Sequence, residues 1–487
     1  MILHNGPVYT MDPRLPQVRA LSIAGDTIAG GVDVREGATD AVGHERIDLE
    51  GRCVLPGFCD SHVHFLDWAL GRTELDLGAA GSMAEALEVV GEAVAGAGDG
   101  WLRGHGWLEE AWPDGPPTAA ALDAVTGERP VALWAHDHHT LWVNSAGLRA
   151  AGQEGDGIVR ERDAWDFPLP ERTALEQSQA LRAAMAAANE RGVVAVHDYQ
   201  RDRGRGLWQR MDADRRLTLR VHMSYPAEQI GAAQATELRT GFGSDLLRVG
   251  PVKAFMDGTL GSSTAWMLDG SGMVLTTAEE MAEIARTAAA GGLSVAVHAI
   301  GDGANRAVLD ALEETRSAWE EVAVPPRIEH VQCIDDADLG RLGELGVTAS
   351  MQPVHQRSDR DLADRLWGER ARCGYRWRDL LDSGAHLAFG SDAPIEDLDP
   401  LAGIDAAVNR DWYPEQRLDV ADAVLAFTAG GAAAVGDHLR RGLLLPGYAA
   451  DLVVLDTDII AHPDRISQAS VVATMLAGRW VHGRPPW

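Results

Sequence analysis

An α/β fold is expected for this chain: a (β/α)8 TIM-like barrel with a small β-sandwich domain built from both chain ends. Three observations lead there. Strand-like and helix-like stretches alternate through the middle of the chain, both ends are β-rich, and five of eight candidate strands end in side chains able to bind a metal. The length of 487 residues leaves room for one large barrel with additions.

Residues 1–55 alternate short apolar runs with Gly, Asp and Pro turns, as in Ala20-Leu21-Ser22-Ile23-Ala24 followed by Gly25-Asp26. The last stretch, 440–487, repeats that style in Asp451-Leu452-Val453-Val454-Leu455 and Gly478-Arg479-Trp480-Val481-His482. Chain termini often lie close together, so the two ends are expected to pair as one β-sandwich subdomain. The barrel is expected over 56–439. Its strands are placed at Val54 to His62, Val193 to His197, Leu219 to Ser224, Val249 to Asp257, Ser294 to Ala299, Arg327 to Val331, Gly346 to Gln352 and His386 to Asp392. Helices are expected at Ala278 to Ala290, with Glu279 and Glu280 in its first turn, and at Ala304 to Val322. A Trp-rich insertion, 65–189, is read as a partly helical cover over the barrel mouth.

Composition excludes several classes. A formal charge of -30 disfavours nucleic acid and anionic lipid as partners. The N-terminus lacks a basic start with an apolar run, and no apolar stretch approaches the length of a membrane span, so a cytoplasmic protein is expected. Four scattered cysteines, with no C-x-x-C pair, suit a reducing compartment and argue against a cysteine-built zinc site. The expected partner is a small-molecule substrate, and a homodimer is compatible with the sequence.

The chemistry concentrates at the strand ends. Of 43 basic residues one is a lysine, Lys253, in Pro251-Val252-Lys253-Ala254-Phe255-Met256-Asp257-Gly258. Codon bias alone can sweep lysine from a sequence, yet a lysine retained in an apolar, strand-like setting suggests a role arginine cannot fill. A deprotonated amine can form a Schiff base, act as a base or take up CO2 as a carbamate, whereas guanidinium stays protonated. His62 and His64 are two apart on a strand, so both imidazoles face one side. Each of His298, His330 and Asp392 is unremarkable alone. Together at successive strand ends, four histidines and a carboxylate make a ligand set suited to zinc or a similar transition metal.

Leu55-Pro56-Gly57-Phe58-Cys59-Asp60-Ser61-His62-Val63-His64 resembles the opening motif of the amidohydrolase superfamily, and the blocks around His298, Glu329-His330 and Gly390-Ser391-Asp392 are similar to its later ones. The segment around Lys253, Asp137-His138-His139-Thr140-Leu141-Trp142, and Pro446 to Leu455 resemble the amidohydrolase type 3 group, which includes N-substituted formamide deformylase-like proteins. The resemblance runs through nearly the whole chain in order. It implies two divalent metal ions, with zinc the expected metal: His62 and His64 on one, His298 and His330 on the other, and carboxylated Lys253 bridging them. It also implies that Asp392 binds the first metal and shuttles the proton. Metal coordination lowers the pKa of a shared water from ~15.7 toward ~7, which would make a metal-bridging hydroxide available at neutral pH.

Asp137, His139, Trp68, Trp266 and His355 are the candidates for substrate contact, and His197 and Asp198 close the second strand. The expected activity is hydrolysis of a non-peptide C–N bond in an amide, N-substituted formamide, carbamate or cyclic amide. The alternatives are a mononuclear heterocycle deaminase, an esterase or lactonase on the same site, and a non-catalytic binding protein. In the deaminase branch a Glu stands three residues after the fifth-strand histidine, where this chain has Gly301. A degenerate binding protein would have lost ligands, and all six are present.

Overall fold

A computed structural model describes residues 1–31, 45–96, 100–108, 112–113, 115–136, 140–200 and 204–487, without the side chains of residues 161 and 162. Residues 1–65 and 185–487 make one compact unit and residues 66–184 a second.

The first unit is dominated by an eight-stranded parallel sheet: β1 (Phe58–Val63), β2 (Val193–Asp198), β3 (Arg220–Pro226), β4 (Leu247–Phe255), β5 (Val295–Ala299), β6 (Arg327–His330), β7 (Thr348–Met351) and β8 (His386–Phe389). Each strand pairs with the next in sequence, so the order runs β1 to β8 without a crossover. The sheet closes into a barrel where the Asp392 N–H donates to the His62 carbonyl and the His64 N–H to the Ala393 carbonyl, both at 2.8 Å. Gly390 is required at this seam, because a Cβ there would lie 2.5 Å from the His62 nitrogen and 2.7 Å from Asp60 Oδ1.

All eight strands expected from the sequence are present, with shifted bounds. The expected first strand, Val54 to His62, divides at Gly57: Cys53–Pro56 joins the sheet formed by the chain ends and Phe58–Val63 opens the barrel. Thr277 and Glu280 form a capping box on the helix Ala278–Ala290, which lies where it was expected. The expected helix Ala304 to Val322 instead begins at Asp302 and breaks at Thr315, giving Asp302–Glu314 and Arg316–Trp319. The hydroxyl of Thr315 turns back onto the Ala311 carbonyl at 2.7 Å, competing with the helical ladder at the break.

The chain ends build the small β domain as one eight-stranded sheet. Leu452–Leu455 pairs antiparallel with Cys53–Pro56, which pairs in parallel with Ile2–Tyr9. Leu3, Leu21, Val54, Val454 and Met475 meet in its buried core. Arg220, at the start of β3, ties this domain to the bottom of the barrel. Its guanidinium grips Asp451 through Nε–Oδ2 at 2.7 Å and Nη2–Oδ1 at 2.9 Å. The pair is nearly excluded from water, with side chains 2% and 6% exposed. Arg220→Ala would leave a buried carboxylate half-paired, so we expect about 3–5 kcal/mol lost in urea denaturation. A loss of well under ~1 kcal/mol would place the pair among surface ion pairs in effect.

The second unit, expected to be partly helical, also contains a sheet. Leu75–Asp76, Leu102–Trp107, Val131–Ala135, Thr140–Val143 and Ile158–Arg160 form a five-stranded sheet with its own core. Trp107, Trp112 and Trp142 pack against one another there with ring centroids 5.8 to 6.0 Å apart. These three tryptophans are therefore packing residues. Strands of two to six residues, interrupted by Gly104 and Gly106, carry too little periodicity to stand out in sequence. Among the described residues, no helix is long and apolar enough to cross a membrane.

Candidate metal centre

The barrel brings the residues of its strand ends together at one end of the sheet. Along β1 the side chains alternate, so Asp60, His62 and His64 share a face. Asp60 does not point at an ion: its Oδ1 accepts the backbone N–H groups of His62 and Ser391, each at 3.1 Å. It braces β1 against the segment carrying Asp392, and burial pushes its carboxyl up to about 7.

His62, His330 and Asp392 offer ligand atoms that all lie within 4.8 Å of one another. Asp392 Oδ1 is 3.6 Å from His62 Nε2 and 3.5 Å from His64 Nε2. The ring of His330 lies 4.9 Å from His62 and 4.6 Å from His298, measured between centroids. Second partners orient several of these rings. His62 Nδ1 faces Glu329 Oε2 at 2.6 Å, His330 Nδ1 faces Gln352 Oε1 at 2.8 Å, and His298 Nε2 meets the Gly258 carbonyl at 3.0 Å. As metal ligands these histidines would offer Nε2 of His62 and His330 and Nδ1 of His298. Burial, then the nearby charge of Lys253, holds His62 well below its ordinary pKa, and burial with His298 beside it does the same for His330. Both imidazoles are thus neutral, the form a metal needs.

Lys253 is buried in β4, with Nζ 4.8 Å from the centre of the Tyr199 ring and 5.1 Å from that of Phe255. Its charge acts on His62, His330, Glu329 and Asp392. Asp257 follows on the loop after β4 and collects three backbone donors: Ile300 at 3.0 Å, Gly301 at 2.9 Å and Trp266 at 2.8 Å. This lashes the β4 loop to the β5 loop beside His298. Gly301 is part of the same junction, where a Cβ would fall 2.0 Å from the Trp266 carbonyl oxygen.

The remaining sequence candidates fall in different places. His355 Nε2 stands 4.0 Å from Asp392 Oδ2 and is a buried nitrogen with no hydrogen-bond partner among the described residues. Gln352 Nε2 is in the same condition, and no motif reading singled it out. Trp266 is half-buried on the β4 loop, held through its backbone by Asp257. Trp68 belongs to the second unit, where it is buried beneath the Arg72 guanidinium at 5.0 Å. Asp137 and His139 lie outside the described residues. Asp198 is structural, accepting from the Phe65 backbone at 3.1 Å and the Trp208 indole at 2.7 Å. His197 is buried beside Arg327, 2.8 Å from Nη1.

A parallel eight-stranded barrel with histidines and a carboxylate gathered at its strand ends defines the class of metal-dependent barrel hydrolases. The model of the amidohydrolase family matches residues 45–482, and the chain belongs to that family. It is similar to Protein LONG AFTER FAR-RED 3 of Arabidopsis thaliana, 31% identical, with 99% of this chain and 91% of the relative covered. N-substituted formamide deformylase of Arthrobacter pascens is 24% identical over 94% of this chain and 93% of its own. Among solved structures, an uncharacterized metal-dependent hydrolase from Pyrococcus furiosus superposes with a TM-score of 0.81 at 30% identity, covering 94% of this chain and 99% of that one.

Proposed function

We propose that this chain is a metal-dependent hydrolase of non-peptide C–N bonds, acting on an amide, N-substituted formamide, carbamate or cyclic amide with a partly apolar substituent. The observation that carries the reading is the convergence of His62, His330 and Asp392, with ligand atoms within 4.8 Å at the strand ends of a buried barrel. We assign one divalent ion to His62, His64 and Asp392, a second to His298 and His330, and a bridging role to Lys253 as its carbamate, with zinc as the metal. The donor set fits: neutral imidazoles, two nitrogens 3.5 to 3.6 Å from one carboxylate oxygen, and a buried amine whose charge acts on four of the groups around it. Bound there, the ions would supply a Lewis acid for the carbonyl oxygen and lower the pKa of water.

The residues themselves supply the rest. Asp392 accepts the proton of the attacking water and returns it to the departing nitrogen, since an amine leaves poorly as its anion. The buried His355 Nε2 and Gln352 Nε2 are placed to donate to the substrate carbonyl as it becomes an oxyanion. The formamide deformylase relative makes N-substituted formamides the first compounds to try. A heterocycle deaminase is disfavoured, because Gly301 has no space for the Glu such a mechanism would need.

The test is a panel of N-substituted formamides, acetamides, cyclic amides, carbamates, lactones and heterocyclic amines, assayed with zinc-loaded protein. Formation of a free amino group from at least one of the first four classes, abolished by a chelator, is expected. Turnover of lactones alone, or of heterocyclic amines with ammonia released, would overturn the assignment.

A further inference from the structure

Glu329 is a carboxylate at 0% exposure inside the barrel, and its oxygens are fully engaged. Oε2 meets His62 Nδ1 at 2.6 Å and accepts from Arg327 Nη2 at 3.2 Å. Oε1 accepts from the Tyr199 hydroxyl at 2.9 Å and stands 2.6 Å from Arg327 Nε. Arg327 is fixed in turn, donating to the Ser61 carbonyl at 2.7 Å, to Ser350 Oγ at 2.5 Å and to His197 Nδ1 at 2.8 Å. Tyr199 does a second thing: its ring lies almost flat over the imidazole of His62, with centroids 4.3 Å apart and planes inclined by 21°.

His62 is therefore held at its edge by a carboxylate and on its face by a phenol; the carboxylate is anchored to the Arg327 guanidinium and the phenol to the carboxylate. Stability does not explain such an arrangement well. Desolvating a carboxylate and a guanidinium in a barrel interior is costly for each ion, and packed apolar side chains of the same volume often serve as well or better. What the ionic group achieves is direction. A carboxylate on Nδ1 requires that nitrogen to carry the proton, which puts the lone pair on Nε2, the atom that faces Asp392.

We propose that Glu329, with Arg327 and Tyr199 holding it, is the positioning carboxylate of the metal centre, fixing the tautomer and ring plane of His62. The inference rests on the reading of His62 as a metal ligand, and it adds residues to which the ligand set itself assigns no part. Arg327 and Glu329 are two apart in β6 and share the inward face, so the pair is built into one strand.

The test titrates apo protein with Zn2+ by calorimetry, records the visible spectrum of the Co2+-loaded protein and measures the apo Tm. Glu329→Gln is expected to weaken Zn2+ binding roughly 10- to 100-fold and to alter the cobalt spectrum. It also strands the Arg327 charge, so the apo protein loses stability or fails to fold. The double variant Arg327→Met with Glu329→Gln removes both charges and separates the two roles. Recovery of apo Tm without recovery of Zn2+ affinity supports the positioning role. Recovery of both, with a wild-type cobalt spectrum, overturns it and leaves Glu329 as mere neutraliser of Arg327. Tyr199→Phe keeps the stacked ring and removes one hydrogen bond, so it should lower affinity in the same direction with a much smaller drop in apo Tm than Glu329→Gln causes. Failure of wild-type protein to bind Zn2+ at all would instead overturn the metal-site reading, and this inference with it.

Discussion

Lys253→Arg is expected to lose one or both metals and nearly all activity while the protein stays folded. Substitution keeps a positive charge, but guanidinium cannot give up its proton to attack CO2. Formation of the carbamate from the ammonium joins the Lys253 nitrogen to the carbon of CO2 and releases two protons, turning a cation into an anion with two oxygens. That reversal of charge suits its surroundings only when cations are present. Lys253 sits among His62, His330, Glu329 and Asp392, and its Nζ lies 4.8 Å and 5.1 Å from the centres of two aromatic rings. Rings of this kind favour an ammonium, so the uncarboxylated lysine has a resting place in the metal-free protein. Metal binding and carboxylation should therefore depend on each other. The ratio of zinc to protein, measured after purification in bicarbonate, should approach two for wild type and fall for Lys253→Arg. Lys253→Ala should regain activity with a small carboxylic acid in the buffer, since that acid can supply the missing oxygens. Full activity in Lys253→Arg would remove the carbamate from the mechanism.

The parts of this site legible in sequence are those whose geometry is local. Spacing of two on a strand fixes the shared face of His62 and His64, and a buried parallel strand announces itself by an apolar run that ends in a polar side chain. Eight such runs were enough to place every barrel strand within a few residues. The parts not legible depend on distant residues meeting. Nothing near Tyr199 in sequence shows that its ring will cover His62, 137 residues earlier, or that its hydroxyl will find Glu329. A signal for Glu329 did exist, since two opposite charges two apart on a buried strand face the same side. The sheet of the second unit was hidden for another reason: its strands are short and some of its members pair in parallel, so neither length nor turn chemistry marks them.

Asp392→Asn should lower kcat by about 10²- to 10⁴-fold, the range removed with a general acid–base group. The side chain keeps its shape, so the backbone of residue 392, held at φ 61° by the N–H bond to the His62 carbonyl, has no reason to move. What is lost is the capacity to hold a proton between attack and departure. The pH profile distinguishes this from simple loss of a metal ligand. Burial pushes the Asp392 carboxyl up to about 6, with His355 and Lys253 opposing the rise. At neutral pH the group is a carboxylate that can accept a proton, and as pH falls through its pKa that capacity disappears. Cations bound beside it can only lower that value, so wild-type activity should fall on an acidic limb at or below pH 6. The Asn variant has no carboxyl to titrate, and its residual activity should lack that limb. An unchanged acidic limb in Asp392→Asn would assign the limb to another group. The leaving group adds a second reading from the same variant. An amide needs its nitrogen protonated as it departs, whereas an activated ester with a good leaving group does not. The defect should therefore shrink as the leaving group becomes more acidic, which ties Asp392 to the C–N bond rather than to attack alone.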